Sequence, residues 1–323
     1  MSVLFTGQYI NINNIDLLVW GELGSGAFGT VYTVSDSAQK IYALKAVVCQ
    51  NQNNIASVIR EVNTLAKAKH ERIVPILAAD RQMLVSGGLV FLILTEFCSG
   101  GDLNSRLNNW STRDTNLKWI CQVSEALNYL HSLNPPIVHR DLKADNVLLT
   151  DTEDLKLGDF GLAREYLSMT SNDNSPQSAL QMYYMTSGVG PIHWMAPEFY
   201  HQHYTEKADI FSLAGIFYAI LTRDYIYVGS KKMYGVYLSY QQHGKVGLGY
   251  AMAQINPNDV VLFPSHFQGS NAMMRLIQNM LSYNPHQRPT ASEVNISVEN
   301  IRSSAQLAMF HSRQVRAGGF LNC

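Results

Sequence analysis

Hydrophobic positions in the first hundred residues fall in short runs. Leu17-Leu18-Val19-Trp20, Thr30-Val31-Tyr32-Thr33-Val34 and Ile41-Tyr42-Ala43-Leu44 are rich in β-branched and aromatic side chains and are punctuated by glycine, which predicts consecutive antiparallel strands. The period then changes: Ile55, Val58, Ile59, Val62 and Leu65 recur at helical spacing behind asparagines able to cap. Residues 73–78 and 88–97 predict two further strands, the second almost wholly apolar and so covered on both faces. Beyond Ser99-Gly100-Gly101 the periodicity is helical, over 117–133, 208–221, 272–281 and 294–310. The pattern predicts an α+β chain, with a small five-stranded antiparallel sheet and one main helix followed by a larger, mainly helical part. Residues 168–181 have the polar Ser, Asn and Thr content of a loop.

Composition narrows the class without naming a partner. The 323 residues carry 24 Lys plus Arg against 25 Asp plus Glu, for a formal charge of -1. A charge-driven nucleic-acid ligand is therefore not expected. At 46% hydrophobic residues the chain can fill a core or two, and its length suggests about two structural units. Cys49, Cys98, Cys121 and Cys323 stand far apart with no CxxC pair, so neither a zinc site nor a disulfide framework is expected. Met1 to Asn14 lacks a basic stretch ahead of an apolar one and does not read as a secretory signal. The longest apolar runs, 89–94 and 213–221, are too short to cross a bilayer. An intracellular protein, cytoplasmic or nuclear, with no membrane partner is the expectation, which leaves the glycosylation-like triplets at Asn109 and Asn295 as chance matches.

Candidate chemistry begins at Leu23-Gly24-Ser25-Gly26-Ala27-Phe28-Gly29, a glycine-rich turn whose backbone can lie over phosphates. A dinucleotide-binding turn would run into a helix, whereas here Thr30 to Val34 continue as a strand. Lys45 follows on the next strand, where an ammonium reaches the phosphates under such a loop. A buried lysine needs a partner. Glu61, three residues after Val58 and four before Leu65, shares the helix stripe that faces the sheet and is the expected partner.

His139-Arg140-Asp141-Leu142-Lys143-Ala144-Asp145-Asn146 is far more specific, with five polar side chains at fixed offsets between two apolar runs. Asp159-Phe160-Gly161 and Ala196-Pro197-Glu198 follow in order. With these the chain resembles the protein kinase superfamily from about Leu17 to Ile301. The resemblance implies two lobes with ATP between them: a small lobe about 17–95, a hinge about 96–102 and a large lobe about 103–301. Residues 1–16 are then an N-terminal extension, and 302–323 a helix end and tail. By phosphoryl-transfer chemistry Asp141 accepts the substrate hydroxyl proton, while Asn146 and Asp159 bind Mg2+, with Mn2+ as the alternative ion. Lys45, held by Glu61, contacts the α and β phosphates, and Lys143 stabilises charge on the group in transit.

The same resemblance makes Thr95 the gatekeeper, Glu96 and Cys98 the backbone contacts to adenine, and Asp102 the ribose contact. Val31, Ala43 and Leu148 sandwich the base. It assigns Glu198 with Arg288 to a bracing ion pair and Asp209 to a structural carboxylate. Residues 96–103, 204–211 and 284–289 resemble the Clik-like serine/threonine kinases, whose partners are PDZ-LIM and actin-associated proteins. Lys143 is of the serine/threonine type. Pro191 and Tyr183-Tyr184 instead resemble tyrosine kinases and keep tyrosine or dual specificity as the alternative. Arg140 implies control by an upstream kinase acting on the activation segment, with Ser175, Ser178, Tyr183, Tyr184, Thr186 and Ser187 as candidates. A silent nucleotide-binding scaffold is disfavoured by the complete catalytic set, and the long segment from Asp159 to Glu198 suits a protein substrate better than a small molecule.

Overall fold

In a computed structural model of the chain, the described residues are 3–26, 29–49, 52–83, 88–160, 164–165, 193–201 and 205–318. Side chains of 52–54, 57, 61, 164–165 and 309–318 lie outside that description. The chain divides into two units, Met1–Arg106 with Tyr129–Val189 and Leu107–Asn128 with Gly190–Cys323.

In the first unit β1 (Tyr9–Ile12), β2 (Ile15–Gly26), β3 (Gly29–Ser35) and β4 (Ile41–Cys49) precede helix α1 (Gln52–Lys67), and β5 (Ile76–Met83) and β6 (Leu89–Glu96) follow it. They form an antiparallel sheet in the order β1-β2-β3-β4-β6-β5. The sheet has six strands rather than the expected five, because Tyr9–Ile12, ahead of the domain in the sequence reading, pairs with β2. Its residues alternate, with Ile10 and Ile12 turned inward and buried. The first strand also reaches the opposite edge, where Asn13 Nδ2 donates to Ala79 O at 2.9 Å and Gln82 Nε2 donates to Asn11 O at 3.0 Å.

Strand β6 shows why an apolar run without alternation is a doubly covered strand. Val90, Leu92 and Leu94 enter one core with Ile10, Ile12, Leu17, Val34 and Leu44, while Phe91 and Ile93 enter a second with Cys49 and Val58. The helix α1 covers that second face with Ile55, Val58 and Val62; Ile59, on the predicted stripe, is exposed instead. Inside the first core the hydroxyl of Tyr32 accepts from Val3 N at 3.0 Å and Leu4 N at 3.2 Å, which ties residues 3–4 to the sheet.

Short elements follow: β7 (Gly101–Asp102), α2 (Leu103–Arg106), α3 (Arg113–Ser132), β8 (Ile137–Val138), β9 (Val147–Leu149), β10 (Leu155–Leu157) and β11 (Arg164–Glu165). In the second unit α4 (Glu206–Thr222) is buried from Ala208 to Thr222, as expected of a helix apolar on every side. Thr205 caps its start by accepting from Lys207 N, and Arg223 ends it in the left-handed region at φ 57°. Four strands then appear where only helices and connections were expected: β12 (Tyr225–Val228) with β13 (Lys231–Tyr234), and β14 (Tyr237–Tyr240) with β15 (Gly244–Gly247). Helices α5 (Leu248–Gln254), α6 (Asn271–Met280) and α7 (Ala291–Gly318) complete the chain. A Cβ on Gly249 would stand 1.8 Å from Met195 O, so α5 rests directly on the backbone of 193–196 and only glycine fits. Among the described residues no helix is long and apolar enough to cross a membrane.

Candidate active site

The glycine-rich turn is a strand hairpin, with Ser25 opposite Thr30 and Gly26 opposite Gly29. Ala27 and Phe28 at its tip lie outside the described residues. Gly29 has φ +119°, and a Cβ there would meet Ala46 O at 2.4 Å, so both conformation and space demand glycine. Lys45, on β4, is opposite Val31 of this hairpin and Ile93 of β6. Its ammonium donates to Asp159 Oδ1 at 3.0 Å. The expected partner Glu61 is in α1, but its side chain is outside the described residues, and Asp159 is the described one.

Antiparallel pairing explains how Asn146 and Asp159 come together. Asn146 immediately precedes β9 and Asp159 follows β10 by two residues, with Val147 opposite Leu157, so the ends of the hairpin meet and Gly158 N donates to Asn146 O at 2.9 Å. Around them the segment 139–146 is braced by its own polar groups. His139 Nε2 bonds Gly158 O at 3.0 Å, Asp141 N donates to His139 Nδ1 at 3.4 Å, and the ring packs 5.0 Å from Phe160. With Nδ1 accepting, the Nε2 tautomer carries the proton. The carboxylate of Asp141 is buried and accepts on Oδ2 from both Lys143 Nζ, at 2.8 Å, and Asn146 Nδ2, at 2.9 Å.

Asn146 spends its amide on Asp141, donating to the backbone O as well at 2.7 Å, and this turns the carbonyl Oδ1 away as an acceptor. Asp159 supplies the second hard oxygen. Burial by surrounding protein disfavours its charge even though 35% of the side chain is open, but Lys45 overrides this, helped by Lys143 and His139, and holds the carboxyl at about 2. One amide oxygen and one ionised carboxylate are the kind of hard oxygen donors a divalent cation takes, so the pair fits such an ion.

These groups open into a cavity of about 530 Å³. Leu23, Gly24, Val31, Ala43 and Leu148 form its apolar part, with Thr95, Glu96, Cys98 and Asp102 along one border and Lys45, Asn146 and Asp159 at the polar end. Ser25, Gly26 and Gly29 shape the hairpin without lining the cavity; Asp141 and Lys143 adjoin it through Asn146. Thr95 Oγ1 donates to Ala43 O at 3.4 Å. Both oxygens of Asp102 accept from Ser105, at 2.8 Å each, and hold its carboxylate at the rim. Burial, with Glu96 nearby, pushes the Cys98 thiol up to about 11 against the pull of Lys156, and it is a packed thiol and not a reactive one. Sequence reading did not include Leu65, Val74, Ile93, Phe97 and Phe160 in this wall. It also missed Lys156, paired with Glu96 at 2.5 Å, since an alternating position in a three-residue strand carries no signal of its partner.

In the second unit Arg288 makes the ion pair that the resemblance implied. Nη1 and Nη2 reach Glu198 at 2.6 and 2.8 Å, and the backbone oxygens of Ser282, Lys207 and Tyr283 take the remaining donors at 2.8, 3.0 and 3.1 Å. All five N–H groups of the guanidinium are thereby bound. Asp209, the other carboxylate to which the resemblance gave a structural role, is fully buried in α4.

A glycine hairpin feeding a lysine strand, a carboxylate held by Lys143 and Asn146, and a metal-ready Asn–Asp pair beside an apolar slot together define the protein kinase fold. Residues 18–297 match the family model described as "Protein kinase domain", and the chain belongs to that family. It is 32% identical over 287 residues to the human serine/threonine-protein kinase Nek11, covering 84% of this chain and 38% of that protein. It is 31% identical over 235 residues to serine/threonine-protein kinase WNK8 of Arabidopsis thaliana, covering 69% and 37%. A Dictyostelium discoideum protein named "Probable serine/threonine-protein kinase" is 30% identical over 322 residues, covering 96% and 26%. The chain thus spans between about a quarter and two fifths of these relatives' lengths.

Proposed function

We propose that this protein is an ATP-dependent protein kinase that transfers the γ-phosphate to serine or threonine hydroxyls. The observation that carries the reading is the Asp141 carboxylate, oriented by Asn146 and approached by Lys143 at 2.8 Å. A serine or threonine hydroxyl placed there loses its proton to Asp141, while Lys143 faces the phosphate in transit and Lys45 the phosphates left behind. Asn146 Oδ1 and the Asp159 carboxylate would hold a divalent ion, read as Mg2+, which when bound would supply positive charge against the phosphates. The serine/threonine-protein kinase names of the relatives support the hydroxyl class.

Lys45→Met and Asp141→Asn are each expected to lower phosphate incorporation by about a thousandfold; incorporation near wild type in either variant would sink the mechanism. Hydroxyl class is tested on a degenerate peptide library, with the modified residue identified by mass spectrometry. Phosphotyrosine as the main product favours the alternative drawn from Pro191 and Tyr183-Tyr184, which lie outside the described residues. Control through the activation segment, including Ser175, Ser178, Thr186 and Ser187, rests on Arg140 and the sequence. Membership of the Clik-like group, with its PDZ-LIM and actin-associated partners and a cytoplasmic or nuclear location, rests on the three sequence stretches alone; co-precipitation with a PDZ-LIM protein is its direct check.

A further inference from the structure

Lys156 is the middle residue of β10, and its neighbours Leu155 and Leu157 are buried. Alternation puts Lys156 on the opposite face. Register sets it opposite Leu148 of β9, and Leu148 opposite Asp102 of β7, so the three side chains form a row across one face of this small sheet. Leu148 and Asp102 both line the cavity of about 530 Å³, so the row looks onto the apolar slot. Lys156, at the end of the row, does not line the cavity; its ammonium crosses to the larger sheet and donates to Glu96 Oε2 at 2.5 Å. The two side chains are 17% and 34% exposed, so the pair is drawn partly out of water, and among the described residues neither group has a second ion-pair partner.

The position of Glu96 gives the pair its consequence. Glu96 is the last residue of β6 and β7 begins at Gly101, so residues 97–100 connect the two sheets. Phe97, Cys98 and Ser99 of this connector line the cavity. Its far end is fixed to the β9–β10 hairpin by Gly100 N, which donates to Leu149 O at 2.9 Å. At its near end the ladder with β4 stops at Glu96, the backbone bond from Glu96 N to Pro75 O is long at 3.4 Å, and the short link to the hairpin is the Lys156 ion pair. Both ends of this stretch of cavity wall are thereby pinned to one hairpin, one by backbone and one by charge. Joining β10 to the rest of the unit does not require the lysine, because Val74 N donates to Leu157 O at 3.0 Å and Leu157 N to Arg72 O at 2.8 Å.

We propose that Lys156 is a positioning residue for the nucleotide: through Glu96 it pins the connector 97–100 against the β9–β10 hairpin and so fixes the wall that takes the adenine edge, an inference that rests on the protein-kinase reading. Lys156 itself touches no part of the nucleotide. A wall held in place before the base arrives loses less freedom on binding, which raises affinity without touching the groups that move the phosphate. Without the ammonium, the partly exposed Glu96 carboxylate turns to water and the near end of the connector is released.

The test uses the full chain, with ADP affinity measured by titration calorimetry and phosphate incorporation measured on the peptide library. Lys156→Met keeps the aliphatic stem and removes the charge. It is expected to weaken ADP about fivefold and to raise KM for ATP by the same factor, with kcat within about twofold because Asp141 and Lys143 are untouched. Lys156→Arg is expected to restore ADP affinity, and Glu96→Gln combined with Lys156→Met to be no weaker than Lys156→Met alone. Hydrogen exchange read by mass spectrometry, without nucleotide, should be faster at the amides of 97–101 in Lys156→Met. Unchanged ADP affinity or unchanged exchange in Lys156→Met, a Lys156→Arg protein as weak as Lys156→Met, or losses that multiply in the double variant overturns the proposal. ADP affinity that follows the expected pattern in a protein that phosphorylates no peptide supports the positioning role and removes the kinase reading instead.

Discussion

His193 and Arg288 are two buried polar side chains at opposite extremes. Every N–H of Arg288 is bound, and Phe211 lies against the guanidinium with its ring centroid 5.0 Å away. Among the described residues neither ring nitrogen of His193 has a hydrogen-bond partner, and the edge-on ring of Tyr237, 5.4 Å away, offers none. Burial alone pushes the His193 imidazole down from 6.5 to about 4. Between those values the unfolded chain takes up a proton that the folded chain refuses, so stability falls as pH drops through this window and is unaffected above it. His193→Phe removes the penalty. The variant should gain on the wild type by about 2 kcal/mol more at pH 5 than at pH 8 in denaturant titrations, and a gain independent of pH would refute the account. Sequence motifs pointed to Arg288 because its partner sits in a second motif, whereas no pattern announces a histidine that lacks one.

Elements were legible where period and cap agree. Helix α6 was expected over 272–281 from its spacing, and it buries Met273, Leu276, Ile277 and Met280 behind a Ser270 cap. The start of α7 carries a reciprocal cap, with Thr290 Oγ1 accepting from Glu293 N at 3.2 Å and Glu293 Oε2 accepting from Thr290 N at 2.7 Å. Thr290→Ala should cost about 1 kcal/mol in unfolding free energy, and a loss below a few tenths would show that packing alone sets this helix start. The hairpins between 225 and 247 were not expected; helical spacing flanks them over 208–221 and 272–281. Their signal was present nonetheless, in the alternating Tyr225-Ile226-Tyr227-Val228 ahead of Gly229-Ser230. The short strands β9 and β10 were legible for another reason: three residues have no usable period, yet the polar residues that flank the pair, Asn146 and Asp159, stand in sequence motifs.

For the molecule as a whole, net charge concealed how that charge is arranged. A balance of -1 coexists with a long acid-free stretch and a few lysines placed at single points, Lys45 and Lys143 among them. Leu4, Ile10 and Ile12, in the stretch read as an N-terminal extension, belong to the first core. Removing residues 1–14 should cost about 5 kcal/mol, taking roughly 1.5–3 kcal/mol for each buried aliphatic side chain. Chemical denaturation checks this, and unchanged stability would show that the strand is dispensable. The bonds from Asn13 to Ala79 and from Gln82 to Asn11 carry a further consequence. They occupy one backbone oxygen on each outermost strand, Asn11 O and Ala79 O, so that part of each edge ladder is already taken when a strand from another molecule approaches, a local guard against edge-to-edge aggregation.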